Sequence, residues 1–197
     1  MNKGVAVIYN TDISDEYDVQ REIVMVATYR DNHKPMLFSN EQWFAQGYRA
    51  EKHIGAHIEP LDGKIWQDEF GNADISTLIG YDLHDALNGN TFDLLHQVKQ
   101  VSADYLQNNG KRFALEDLVR WNGIRSKPMM LLDNIRKEMA YKKGALHKVA
   151  KVAINEAKMC LKLYQKIIKT KKVRFLDANT GKKPACVVSW GEFGEEE

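Results

Sequence analysis

Five side chains that carry ligand oxygens stand where a fold can bring them together. Four follow apolar runs that indicate short strands, and the fifth lies on the apolar side of a long amphipathic segment: Asn10, Asp12, Asp82, Asp85 and Glu156. Carboxylates at strand ends, with one more on a helix facing the sheet, can hold two divalent metal ions that cleave a phosphodiester. Oxygen ligands favour Mg²⁺ or Mn²⁺ over softer metals. The alternative is that these residues only cap helices and begin turns.

Glu156 is the most informative of the five. It falls between Ala153 and Cys160 in an apolar stripe that recurs at helical spacing. Burying an unpaired carboxylate is costly, so this side chain needs a partner. The spacing leaves a structural interpretation, a buried ion pair or an edge residue that reaches solvent, and a functional one, a metal ligand. Taken without other context, the structural interpretation is favoured.

The elements that must position these side chains indicate an α/β domain. Strand-like runs come first and helical segments dominate the second half, which is typical of a mixed sheet flanked by helices. The predicted strands are Gly4–Tyr9, Glu22–Arg30, Lys34–Ser39 and Ser76–Tyr81, and the predicted helices begin at Asn40 and cover Phe92–Leu106, Ala114–Trp121, 128–141 and 145–169. A terminal hairpin of 173–176 and 185–190 follows. The length of 197 residues predicts a single domain, residues 1–190, with an acidic tail of 191–197.

Charge is distributed unevenly along the chain. Residues 1–109 carry 8 Lys/Arg against 17 Asp/Glu, whereas residues 110–183 carry 20 against 6. A basic half joined to an acidic half is typical of proteins that contact polyanions. The candidate nucleic-acid-binding residues are Lys148, Lys151, Lys158, Lys162 and Lys166. The alternative is an ordinary lysine-rich helix surface in contact with water.

Several other classes of protein are disfavoured. The sequence has no apolar run of the roughly 20 residues that a membrane helix needs and no secretory signal, so we expect a cytoplasmic protein without membrane contact. Its two cysteines have no zinc-type spacing. His53 and His57 are four residues apart, but Gly55 and Pro60 argue against a helix that would present both to one metal.

The second half of the chain resembles the predicted exonucleases with an RNase H-like fold, a branch of the DEDD 3′–5′ exonucleases. The similarity runs from Asn90 to Trp190, through the segments TFDLL (91–95), GKRFALEDL (110–118), Ser126-Lys127, VAINEAKMCLKLY (152–164) and the final Val-Ser-Trp (188–190). The resemblance implies an RNase H-like mixed sheet, DNA or RNA as the ligand, and two-metal hydrolysis if the chain is active. Asp12, Asp85 and Glu156 would then be catalytic metal ligands, with Asn10 as a weakened fourth and Asp82 as the alternative to Asp85.

The chain departs from the family pattern at its acidic motifs. Asn10 and Asp12 replace an Asp-x-Glu pair, and Glu156 replaces an aspartate. The family has a Tyr or His before that aspartate, where this chain has Val152 and Lys151; His147 and His84 are possible substitutes. Loss of metal ligands or a general base commonly reduces rates by orders of magnitude. The sequence therefore leaves open an active exonuclease, a degenerate module that binds nucleic acid or a protein, and an assembly protein or homo-oligomer.

Overall fold

The computed structural model describes residues 2–15, 18–39, 48–61, 77–83, 91–102, 114–125, 134–177 and 180–190. Within these ranges it contains eight strands and five helices. The strands are β1 (Lys3–Asp15), β2 (Asp18–Tyr29), β3 (Met36–Ser39), β4 (His57–Glu59), β5 (Leu78–Gly80), β6 (Thr91–Asp93), β7 (Lys172–Arg174) and β8 (Ala185–Val187). The helices are α1 (Tyr48–Ile54), α2 (Leu94–Val101), α3 (Leu115–Trp121), α4 (Asn134–Lys142) and α5 (Leu146–Thr170).

Six strands form one mixed sheet in the order β4-β3-β2-β1-β5-β6. Strand β2 is antiparallel to both β1 and β3, β5 and β6 continue parallel to β1, and β4 lies parallel to β3. Strand β1 has a neighbour on each side and its residues Val5, Ala6, Val7 and Ile8 are buried, so this part of β1 lies in the interior of the sheet. This architecture confirms the predicted α/β class and the mixed sheet.

Helix α5 packs across the sheet because its apolar stripe is continuous. Val149, Ala153 and Ala157 face Ala6 and Ile8 of β1 in one buried cluster. The helix approaches β1 so closely that a Cβ added to Gly4 would lie 1.9 Å from the carbonyl oxygen of Ala157. Glycine at position 4 therefore permits the contact between helix and sheet.

The terminal hairpin β7–β8 attaches to the end of α5. Phe175, Val188 and Trp190 belong to the cluster that also contains residues of α2, α3 and the C-terminal half of α5. Asn122, just after α3, accepts a hydrogen bond from the Arg174 N–H and donates to the Arg174 carbonyl, both at 2.9 Å. These bonds fix the hairpin against α3.

Several predicted boundaries were wrong. Strand β1 continues to Asp15 instead of ending at Tyr9, because the polar residues after Tyr9 pair with β2 in a long antiparallel arm. The predicted helix Phe92–Leu106 begins at Leu94, because Thr91–Asp93 pair with β5 as a strand. The predicted helix start at Asn40, the segment 128–133 and the tail 191–197 lie outside the described residues. No helix in the described ranges is both long and apolar enough to cross a membrane.

Candidate functional site

The buried carboxylate of Glu156 forms an ion pair with Lys137 of α4. The Lys137 ammonium donates to both carboxylate oxygens, at 2.9 Å to Oε1 and 2.7 Å to Oε2. Both side chains are almost completely removed from solvent, with 3% of Lys137 and 5% of Glu156 exposed. Burial raises the pKa of Glu156 above its ordinary value, while the positive charge of Lys137 opposes that rise. Of the interpretations that the sequence leaves open for Glu156, the structure shows the buried ion pair.

Asp82 lies near this ion pair, at the turn that follows β5. The negative charge of Asp82 contributes to the raised pKa of Glu156, because the two carboxylates repel each other. Asp82 has a φ of 56°, in the left-handed region that aspartate tolerates better than most residues. The turn is held by Asp93, whose carboxylate accepts hydrogen bonds from the N–H groups of Asp82 and Leu83.

Asp93 also caps helix α2. Its Oδ1 accepts from the N–H of Leu95 at 2.8 Å and from that of His96 at 3.3 Å. The Asp93 carboxylate thus accepts hydrogen bonds from four backbone N–H groups, two in the turn after β5 and two at the start of α2. These bonds join the turn to the helix. Sequence reasoning missed Asp93 as a site residue, although an aspartate directly before an apolar helical run is a known capping signal.

The Tyr81 ring stands beside these acidic groups. Burial raises the pKa of its phenol, and the negative charges of Asp82, Asp93 and Glu156 act in the same direction. Its hydroxyl is buried and has no hydrogen-bond partner among the described atoms. A phenol in this setting stays protonated at neutral pH, so Tyr81 can act only as a neutral hydrogen-bond donor or acceptor.

Asn10 and Asp12 lie on the long arm of β1. The parallel pairing of Lys3 with Leu78 and of Gly4 with Ile79 places the end of β5 level with Val5. Asn10 is five residues farther, about 16 Å along the strand, and Asp12 is about 23 Å along it. They pair with Glu22 and Gln20 of β2 respectively. The expectation that the first strand ends at these two residues was wrong, because β1 continues to Asp15.

The remaining candidate ligands are distributed as follows. Asp85 and His84 lie outside the described residues. His57 contacts the carboxylates of Glu51 and Glu59, and the His53 ring instead packs edge-on against His147, with ring centroids 4.5 Å apart. In the part of the chain that the structure describes, no three His, Cys, Asp or Glu side chains are grouped so that they could hold a metal ion.

The lysines of α5 form a straight stripe on its outer face, which we call the α5 stripe. It consists of Lys148, Lys151, Lys158, Lys162, Lys166 and Lys169. At 100° per residue these positions fall within an arc of about 80°, and Glu156 lies roughly 120° from its centre. Glu156 is the one acidic residue of α5, and it is buried, so the outer face of the helix is uniformly positive.

Two contacts modify the middle of the α5 stripe. The Lys158 ammonium lies 5.3 Å from the centre of the Tyr29 ring, within the range of a cation–π interaction. Gln165, at the edge of the stripe, donates to Asp31 at 2.6 Å. None of Lys148, Lys151, Lys162, Lys166 and Lys169 forms an ion pair with an acidic residue in the described ranges. Their charges are therefore available to an anionic partner.

Comparison of the chain with protein-family models, with curated proteins and with solved structures finds no match.

Proposed function

We propose that the chain is a nucleic-acid-binding module with an RNase H-like fold of the DEDD exonuclease type, in which two-metal cleavage has been lost. The observation that carries the loss of cleavage is the Lys137 ammonium bound to both oxygens of Glu156. In the resemblance, Glu156 stands at the position of the metal-binding aspartate of the last helix. The Lys137 ammonium neutralises this carboxylate and occupies both of its oxygens, so neither oxygen is available to Mg²⁺ or Mn²⁺.

The sheet topology supports the fold assignment. Three antiparallel strands with β1 innermost, followed by two strands parallel to β1 on its other side, give the order β3-β2-β1-β5-β6. This is the strand order expected of an RNase H-like sheet, with β4 as an addition at one edge. The long helix across the centre of the sheet agrees with the helix that carries the last acidic motif of the family.

The donor set fits a two-metal centre poorly. Asn10 brings an amide without charge, and Asp93 is occupied by backbone N–H groups. Asp82 is near Glu156, but in the described ranges no three His, Cys, Asp or Glu side chains are grouped so that they could hold a metal ion. The function that this donor set supports is therefore binding without hydrolysis.

The α5 stripe supports nucleic acid as the ligand. It presents lysines at intervals of about 5 to 10 Å along roughly 31 Å of helix, and no acidic side chain of α5 faces the same way. Rows of lysine that neutralise phosphates bind through release of counterions, largely without regard to sequence. Binding to a nucleic acid should therefore weaken steeply as salt increases.

The test combines a nuclease assay with calorimetry. We expect the purified chain to leave single-stranded DNA and RNA intact in the presence of Mg²⁺ or Mn²⁺. Calorimetric titration with Mn²⁺ should give the same result for the parent chain and for Glu156→Gln. It should bind labelled oligonucleotides with an affinity that falls with salt. Metal-dependent degradation that Glu156→Gln abolishes would favour the active exonuclease, and salt-independent or absent binding would exclude the nucleic-acid module.

A further inference from the structure

Helix α4 exposes its apolar residues and buries a charge. Ile135 is 72% exposed and Met139 is 51% exposed, whereas Lys137 between them is buried against Glu156. An amphipathic helix of a globular domain ordinarily turns its apolar side chains towards the core. Because the inward position of α4 is occupied by the lysine that Glu156 needs, the packing of α4 on β1 and α5 leaves Ile135 and Met139 uncovered.

Ile135 and Met139 lie on one side of the helix. At 100° per residue the two positions are about 40° apart, and Lys137 is about 200° from Ile135 on the opposite side. Side chains four residues apart on a helix are neighbours, so these two form one apolar patch. Of the four large apolar side chains that are exposed in the described ranges, two therefore lie together on α4, while Leu176 and Val187 belong to the region of the terminal hairpin.

Basic side chains surround this patch. Arg136, Lys142 and Lys143 are exposed, and Lys142 is about 20° from Ile135 around the helix. Glu138 is the one acidic residue of α4, and Lys142 pairs with it at 2.8 Å. The apolar pair and the three basic residues form a surface that we call the α4 face: Ile135, Arg136, Met139, Lys142 and Lys143. This surface combines apolar contact with a net positive charge.

Such a combination favours an acidic protein segment as the partner. Buried apolar side chains supply affinity at an interface, and complementary charges select the partner. Methionine suits such a surface because its flexible thioether adapts to the side chain it meets. A second copy bound about a two-fold axis would bring the same basic residues together, and like charges disfavour that arrangement. The phosphates of a nucleic acid match the charges but leave Ile135 and Met139 uncovered.

We propose that the α4 face binds an acidic peptide segment of another protein, which places two large apolar side chains on Ile135 and Met139 and carboxylates on the flanking cations. A helical segment with apolar residues three or four positions apart matches an apolar pair at i and i+4. This interaction goes beyond the proposed function and does not depend on it, since it uses none of the lysines of the α5 stripe.

Peptide display on the full chain tests the proposal. Random peptides of about 16 residues, enough for four helical turns, are depleted on the Ile135→Ser/Met139→Ser variant and then selected on the parent chain. We expect the enriched peptides to carry a net charge of about −3 or below and two large apolar residues three or four positions apart. Enriched peptides without net negative charge, or a selection that yields no peptide specific for the parent chain, would overturn the proposal.

The affinity of one enriched peptide, labelled with fluorescein and followed by anisotropy, is then compared among variants. Ile135→Ser/Met139→Ser should weaken binding roughly 10- to 100-fold, as expected for two apolar side chains that are only partly exposed before binding. Arg136→Gln/Lys143→Gln should weaken it about three- to tenfold at low salt and less at high salt. The matched control is Val187→Ser, which removes an apolar side chain of nearly the same exposure, 73%, and should change affinity less than about twofold.

Two further measurements assign the binding to this surface. Circular dichroism and urea unfolding of Ile135→Ser/Met139→Ser should match the parent chain, because both side chains are exposed. If Lys162→Gln/Lys166→Gln weakens the peptide as much as Arg136→Gln/Lys143→Gln does, the peptide lies on the α5 stripe and the proposal is overturned. If sedimentation equilibrium of the chain alone shows a dimer that Ile135→Ser/Met139→Ser dissociates, the α4 face joins two copies, and the proposal is likewise overturned.

Discussion

Replacing Lys137 with methionine removes the ammonium from Glu156 and keeps a side chain of similar length. Because 5% or less of either side chain is exposed, the substitution leaves a buried carboxylate without its cation. Breaking a buried pair in this way costs about 3–5 kcal/mol, a large part of the roughly 5–15 kcal/mol that stabilise a typical domain. We therefore expect the Lys137→Met variant to be folded only marginally at neutral pH.

The same helix supplies the matched control. Lys142 pairs with Glu138 at 2.8 Å, nearly the Lys137–Glu156 distance, but 52% of the Lys142 side chain is exposed. An exposed pair four residues apart on a helix contributes about 0.3–0.5 kcal/mol. Lys142→Met should therefore reduce the free energy of unfolding by less than 1 kcal/mol, and the difference between the two variants reports the burial of the ion pair.

The pH dependence has a defined sign. Burial and the negative charge of Asp82 raise the pKa of Glu156, whereas Lys137 lowers it, so the pKa rises further in the variant that lacks Lys137. The folded variant then binds a proton at a pH where the unfolded chain does not. Its stability is greatest below the ordinary carboxyl pKa and is lost as pH rises through the raised one. The cost of Lys137→Met should therefore be larger at pH 7.5 than at pH 5.

Urea unfolding followed by tryptophan fluorescence at both pH values measures these differences. The double variant Lys137→Met/Glu156→Leu removes both charges and should lie within about 1 kcal/mol of the parent chain or be more stable. Equal costs for Lys137→Met and Lys142→Met, or a cost that does not decrease at pH 5, would show that Glu156 and Lys137 are not the buried pair described above.

Three further predictions concern other contacts of the structure. Asp93→Ala removes the acceptor of four backbone N–H groups and should reduce the free energy of unfolding by about 2 kcal/mol, with Asp93→Asn losing less; thermal unfolding measures both. Gly4→Ala places a methyl group against the Ala157 carbonyl and should cost about 3 kcal/mol or more in urea unfolding, and a neutral result would contradict the close packing of α5 on β1. Cys186 should react with a thiol reagent in the native protein while Cys160 reacts only in denaturant, since burial raises the Cys160 pKa; equal labelling rates would refute this.

The strands and the long helix could be predicted where apolar residues had a clear period. The run Gly4–Tyr9 lies within β1, and the predicted helix 145–169 differs from α5 by one residue at each end. The arm of β1 beyond Tyr9 was missed because NTDIS is polar and resembles a turn, whereas pairing with β2 satisfies its backbone groups. The secondary-structure propensity of a short segment does not indicate whether a strand later in the chain will pair with it.

The partner of Glu156 could not be identified from sequence for a related reason. Glu156 lies on the apolar side of α5, so its buried carboxylate requires a positively charged partner. The chain offers 28 Lys and Arg residues as candidates. Lys137 stands in a segment, IRKEMAYK, whose charges suggest a helix exposed to solvent on every side. Only the packing of α4 against β1 and α5 reveals that this lysine faces inward and is buried.

The ion pair also determines how the chain should respond to divalent metals. The buried carboxylate of Glu156 needs a positive charge nearby, and Lys137 supplies it. Because Lys137 belongs to the same chain, this pairing does not depend on the concentration of any ion in solution. A metal ion would have to displace that ammonium and leave Lys137 buried without an anion, at a cost similar to that of breaking the pair. Stability should therefore be insensitive to Mg²⁺ and to chelators, whereas a fold that depends on a bound cation gains stability as the cation concentration rises. Thermal unfolding with and without a chelator distinguishes the two, and a melting temperature that rises with Mn²⁺ would show that the lysine does not replace the metal.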